Sequence, residues 1–317
     1  MNKILCIGEA LIDMICTDKG SSLSEGMNFL KRPGGAPANV AAAIASLGGD
    51  VDMAAKVGSD PFGDHLITVM KSFGVKTRWM FRDDKSFTTL AFVSLMENGE
   101  RDFYFNRGAD GQLGLHEIEK IDVEEYSIIH FGSATGFLPG PLQEAYQALF
   151  NKSLSKNVYI SFDPNYRELL FGHDKETFIG KSWEFLNRCH FFKVSDEEAL
   201  MLTRTDNIED AVSVLIEKTN AVFAITLGEQ GTLLRVKGMQ QIIPSIPVKP
   251  IDTTGAGDAF VGAVIYQLSE KTKDKILQMN PGEWKMIIRN ANIAGARTCE
   301  FLGAMEAYKK LSTDIFN

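Results

Sequence analysis

Short apolar runs of strand length alternate with longer amphipathic runs through most of this chain. The first, "ILCIGEALIDMI" (4–15), reads as one buried strand. "APANVAAAIASLG" (36–48) reads as a helix of small residues closed by Gly48. "VDMAAKVG" (51–58) is strand-like, and "PFGDHLITVMKSFG" (61–74) is a helix with Pro61 at its start and Gly74 past its end. Strands follow at "YSIIHFGS", "VYISFDP", "HFFKVS" and "AVFAITLG", with helical patterns between them at "PLQEAYQALFNKSL", "FIGKSWEFLNRC" and "IEDAVSVLIEKT". Such alternation predicts an α/β fold with a mostly parallel sheet covered on both faces. Ligands of such sheets sit beyond the carboxyl ends of the strands.

One stretch breaks the alternation. "TTLAFVSLMENGERDFYF" (88–105) is two extended runs joined through Asn98-Gly99, the dipeptide of a tight hairpin. A hairpin cannot be a crossover helix. With the polar stretch near 16–32 it reads either as a small β lid, formed by about 14–33 and 86–107, or as an edge hairpin without ligand contact.

Composition narrows the class. The 317 residues are 44% hydrophobic and 23% charged, as in ordinary globular proteins, and suffice for one large domain spanning 1–317. No apolar run approaches the ~18 residues that cross a bilayer. Glu9 and Asp13 interrupt the N-terminal apolar stretch, which argues against a secretion signal. The four cysteines (6, 16, 189, 299) form no CxxC pair and read as reduced thiols, so a cytoplasmic setting is expected. The net charge of −8 and the scattered basic residues argue against nucleic acid as partner.

The stretch that carries chemistry is "DTTGAGD" (252–258), which runs into the apolar "AFVGAVIYQL". Glycines let backbone N–H groups approach a ligand closely. At a helix start those groups lack partners and the helix dipole adds positive charge, so phosphate binds there. A plain capped helix start is the competing reading. "IGKSW" (179–183) ends like a P-loop, but Lys175 stands where the first glycine is needed, and no GxGxxG follows a strand.

"DTTGAGDAFVGAV" resembles the C-terminal signature of the ribokinase-like (PfkB) carbohydrate kinases, and "PGGAPANVAAAIASLGG" (33–49) resembles their N-terminal signature. The two stand in the family's order and at about its spacing, so the resemblance covers essentially the whole chain. It implies a three-layer α/β/α domain with a small β lid, and transfer of the γ-phosphoryl of ATP to a sugar hydroxyl with Mg²⁺. Asp258 would be the base, and the N–H groups of Gly255, Ala256 and Gly257 the anion hole. The helix dipole should depress the pKa of Asp258, which is tolerable where the attacking hydroxyl loses its proton late.

By the same resemblance Asp13, Gly34, Gly35 and Asn39 would hold the sugar. Each also has an ordinary reading, as a strand end, a turn or a helix start. Arg107 would reach substrate and Arg167 substrate or nucleotide, and Asn165 in "DPNYR" would lie near Mg²⁺ and the phosphates; a proline turn and a surface arginine are the alternatives. "SDEE" (195–198) departs from the family's Asn-x-x-Glu by Ser195. Glu198 is thus either a water-mediated Mg²⁺ ligand or half of a capping box. Thr226, Gly228 and Gly231 would border the nucleotide, with Asn292 beside the adenine. Asp252 and Thr254 match positions that bind K⁺ in many members. "GEALIDM" and "KVSDEEA" are most like fructokinases, whereas "DPNYR" is also like the 2-keto-3-deoxygluconate kinases, whose substrate carboxylate Arg107 and Arg167 could clamp. A homodimer paired through the lid is the oligomer the family suggests.

Overall fold

In the computed structural model, residues 2–96 and 101–316 are described. Their strands, numbered along the chain, are β1 (Ile4–Ile7), β2 (Leu11–Cys16), β3 (Phe29–Gly34), β4 (Val51–Gly58), β5 (Lys76–Asp83), β6 (Leu90–Leu95), β7 (Arg101–Asn106), β8 (Ile128–Phe131), β9 (Tyr159–Phe162), β10 (Phe191–Ser195), β11 (Val222–Thr226), β12 (Thr232–Val236) and β13 (Met239–Ile243). Nine form one sheet in the order β13-β12-β11-β10-β9-β8-β1-β4-β5, parallel from β11 through β5, with β12 and β13 added antiparallel at one edge. Every residue of β1, β4, β8 and β9 is buried, as expected of strands covered on both faces.

Alternation along β1 divides the core in two. Ile4 and Cys6 join the apolar cluster on one face, Leu5 and Ile7 the cluster on the other. The first face is covered by α1 (Ala36–Ser46), α7 (Ala256–Ser269) and α8 (Pro281–Thr298). The second is covered by α3 (Pro141–Ser155), α4 (Lys175–Leu186), α5 (Asp196–Thr203) and α6 (Ile208–Lys218), around stacked and edge-on rings of Phe131, Phe137, Tyr146, Phe150 and Phe185. The helix α2 (Pro61–Phe73) starts where Asp60 accepts from the N–H groups of Phe62 and Gly63, and stops at Gly74 with φ +90°.

The small residues of α1 and α7 have a packing reason. A Cβ on Gly262 would lie 2.7 Å from Ala43 Cβ, so the two helices touch nearly backbone to backbone. That contact joins the two signature segments.

The run 4–15 is not one strand, which corrects the sequence reading. It breaks at Gly8, whose φ is +142° and whose absent Cβ would sit 2.5 Å from Ser133 Cβ. Residues 4–7 stay in the large sheet, and 11–16 enter a separate sheet of order β3-β2-β6-β7. In that sheet β6 and β7 pair antiparallel from Leu90 with Asn106 to Leu95 with Arg101, as the hairpin reading requires. Asn98 and Gly99 themselves lie outside the described residues. The strand β5 and the β12–β13 hairpin go beyond what the pattern revealed. No helix among the described residues is long and apolar enough to cross a membrane.

Candidate active site

Loops at the carboxyl ends of β1, β8, β9 and β10 meet the start of α7 and one edge of the small sheet. Gly255 is the N-cap of α7, with φ +80°. A Cβ there would lie 2.4 Å from both Ala304 Cβ and Tyr308 Oη, and Tyr308 donates to Gly255 O at 2.8 Å. No side chain caps this turn, which leaves the N–H groups of Gly255 and Gly257 open to a ligand. Of the three expected anion-hole donors, Ala256 N–H already gives to Thr253 O at 3.2 Å. Asp252 braces the loop from behind. Its Oδ1 accepts from Thr254 N and Oγ1 (2.9 and 2.7 Å), and its Oδ2 from Gly303 N (2.8 Å), while Ile251 N and Asp252 N donate to Cys299 O.

Asp258 sits in the first turn of α7, and its Oδ2 accepts from Asn39 Nδ2 of α1 at 2.8 Å. The two signatures, 219 residues apart, thus close on one hydrogen bond. Asn39 Oδ1 is buried without a protein partner. The expected depression of the Asp258 pKa is reversed. Burial raises it, against the Asn39 hydrogen bond and the charges of Arg167 and Lys193.

Asp13, on β2, faces the same space. Burial pushes its carboxyl up to about 7, with Arg167 pulling down and Glu9 pushing up. Gly34 and Gly35 are small for local reasons. A Cβ on Gly34 would strike Asp13 Oδ2 at 2.1 Å, and one on Gly35 would strike Glu9 O at 2.5 Å. Arg167 is exposed, donates to Tyr166 O at 3.0 Å, and acts by charge on both Asp13 and Asp258. Arg107 is differently occupied: its guanidinium donates to Pro139 O (2.7 Å) and Thr135 O (3.3 Å) and lies 3.7 Å from Asp110.

Asn165 holds φ +53°, with its amide on Gly132 O at 3.0 Å. Glu198 realises the capping box: Ser195 N–H gives to Oε2 (2.8 Å), while Tyr166 N–H gives to Oε1 (2.7 Å). Among the described residues no three His, Cys, Asp or Glu side chains converge as a metal cage. The spare lone pairs of Glu198 would suit a divalent cation held through water.

On the far side, Thr226 ends β11, and Gly228 and Gly231 hold φ +58° and +105°. A Cβ on Gly231 would meet Ile243 O at 2.2 Å. Asn292 is buried, accepts from Thr232 Oγ1 (2.6 Å) and donates to Ile243 O (2.8 Å) and Pro244 O (3.3 Å). It therefore ties α8 to the 243–244 segment.

Sequence reasoning missed two buried charged groups here. Glu9 accepts from Ala36 N and Ala134 N (both 3.2 Å) and from Ser133 Oγ (2.5 Å), joining three site loops. Lys193, on β10, lies 3.2 Å from Asp163 Oδ2 and 3.9 Å from Glu198 Oε2. The signal was available in both cases: a charge set inside an apolar strand run, "FFKVS" or "CIGEAL", needs a partner.

Comparison with known proteins gives the family and the fold. Residues 1–310 match the model of the pfkB family carbohydrate kinases. The chain is 37% identical over 307 residues to probable fructokinase-5 of Arabidopsis thaliana, covering 96% of this chain and 93% of that one. Fructokinase of Xylella fastidiosa, solved with bound ATP, superposes with a TM-score of 0.86 at 28% identity, covering 99% and 96% of the two chains. Fructokinase of Vibrio cholerae O395, solved with fructose, ADP and calcium ion, gives 0.81 at 31% identity, covering 100% and 98%.

Proposed function

The chain belongs to the pfkB family of carbohydrate kinases, and from that premise we propose that it is a fructokinase with Asp258 as its base. The observation that carries the proposal is the Asn39–Asp258 hydrogen bond at the open start of α7. It sets a carboxylate beside unpaired backbone donors, as transfer of a phosphoryl group to a hydroxyl requires. A raised pKa suits this role better than the depressed one expected from the dipole, because a stronger base takes the proton more readily.

In this reading ATP lies along Thr226, Gly228 and Gly231, with Asn292 holding the wall beside its adenine. The γ-phosphoryl meets the N–H groups of Gly255 and Gly257, while Ala256 shares its own between ligand and turn. Mg²⁺, when bound, neutralises phosphate charge. Asn165 and Glu198 orient its water shell. Asp13 and the open Oδ1 of Asn39 take sugar hydroxyls, which donate to both. Asp252 and Thr254 are the side-chain candidates for a K⁺ site. The small sheet acts as the lid, and its exposed Ile15, Leu30 and Leu95 form the face on which a second copy would pair.

A neutral sugar is favoured over the keto-acid by Arg107. Its guanidinium already donates to two carbonyls and lies 3.7 Å from Asp110, so Arg167 is the freer of the two to meet a substrate carboxylate. The test is ADP release with Mg-ATP, comparing kcat/KM for fructose and 2-keto-3-deoxygluconate. Preference for fructose is expected. Preference for the keto-acid would leave the fold and base in place and overturn the sugar assignment.

A further inference from the structure

Lys193 is buried on a central strand, 8% exposed, in a site crowded with carboxylates. An ammonium has three hydrogens to give. Among the described residues its one hydrogen bond goes to Asp163 Oδ2 at 3.2 Å. Glu198 Oε2, at 3.9 Å, attracts it without a hydrogen bond, and both Glu198 oxygens already accept backbone N–H groups. Hydrogens therefore remain on the ammonium, and the geometry shows what lies near. A Cβ built on Gly257 would stand 3.6 Å from Nζ. That is contact without collision, so a side chain at 257 would fit there and cover the ammonium. Glycine leaves it open toward the first turn of α7.

A lysine serving only to neutralise Asp163 has no need to lie against the phosphate turn. We propose that Lys193 is a positioning residue for phosphoryl transfer: a fixed cation behind the Gly255–Gly257 turn that favours the charge gathering on the transferred group, while holding Asp163 and Glu198 in place. This rests on the kinase reading above. The distribution of charge supports it. Asp163 at 3.2 Å and Glu198 at 3.9 Å hold the ammonium on the side of the turn that Gly257 leaves open.

The test compares wild type with Lys193→Met and Lys193→Arg, reading melting temperature, kcat, sugar KM and the Kd of MgADP. MgADP serves as the probe because it lacks the transferred group. Lys193→Met is expected to lose about 100-fold in kcat, with MgADP Kd and sugar KM within about twofold of wild type. Lys193→Arg is expected to recover at least about tenfold of that loss. A folded Lys193→Met with wild-type kcat would overturn the proposal, and so would equal losses in kcat and in MgADP affinity, which mark a structural role. If Lys193→Met does not fold, a folded Lys193→Arg slower by more than about 100-fold overturns it and one within about tenfold of wild type supports it. Wild type inactive on every sugar overturns the kinase reading itself, which separates the two failures.

Discussion

Asp258 and Asp13 are two carboxylates each raised by burial and each pulled down by the Arg167 charge. In the roles proposed for them, as base and as acceptor of sugar hydroxyls, both work ionised. The acid limb of kcat/KM should therefore fall near neutrality, with activity lost as pH drops through about 7, where Asp13 takes up its proton. A profile flat down to pH ~5 would contradict this. Stability runs the other way. Asp13 binds its proton more tightly folded than unfolded, so its contribution to stability is present below the ordinary aspartate range, ~4, and is lost as pH rises through about 7. Asp258→Asn should keep ATP and sugar binding within a few-fold while turnover drops by about 10³. Rapid-quench single turnovers would check it, and wild-type kcat in that variant would remove Asp258 as base.

Among the elements, the α1–α7 contact bears most directly on the chemistry. Gly262→Val would push the helices apart at Ala43 and cost about 1–3 kcal/mol by overpacking. It should also slow turnover, since Asn39 and Asp258 ride on those two helices. Urea denaturation beside kcat measures both effects. A stability loss with unchanged kcat would show that the Asn39 bond tolerates the shift. Much at this scale was legible in the residues: Pro61 and Gly74 bounded α2, and the period-2 runs either side of Asn98-Gly99 did pair. The split of 4–15 was not legible. Both halves are mostly apolar, and the groups that demand a glycine at the break, Ser133 and Pro37, lie far off in sequence. Gly34, Gly35, Asn39, Asp252, Thr254 and Asp258 stand in the two glycine-rich signatures, whereas Asp13, Arg107, Asn165, Arg167, Glu198 and Asn292 were named by family resemblance alone. Lys193 stood out only as a charge inside an apolar run, and its partners, which come from other elements, could not be read.

At the scale of the whole molecule, charge and oligomeric state can be separated from chemistry. The chain carries −8, yet a neutral sugar feels none of that field. Its KM should hold steady as ionic strength is raised several-fold, and a steep rise would point to an anionic substrate. Exchange of Na⁺ for K⁺ at constant ionic strength should raise kcat if the Asp252–Thr254 loop takes the larger ion, and equal rates would set that site aside. Sedimentation of wild type beside Ile15→Asp tests the pairing face. Loss of a dimer in the variant alone is expected, and a wild-type monomer would end that assignment.

The hydrogen bond between Asn39 and Asp258 also bears on how the molecule is made. Its partners leave the ribosome 219 residues apart, which at common rates of synthesis is roughly ten to forty seconds. Throughout that interval the alanine face of α1 has no α7 to rest against, although it is among the first helices to emerge. A chain ending just before α7 would carry both sheets, but no Asp258 and an uncovered apolar stripe. Nascent chains of this protein should accordingly depend on holding chaperones until α7 clears the exit tunnel, and truncation before residue 256 should give insoluble product.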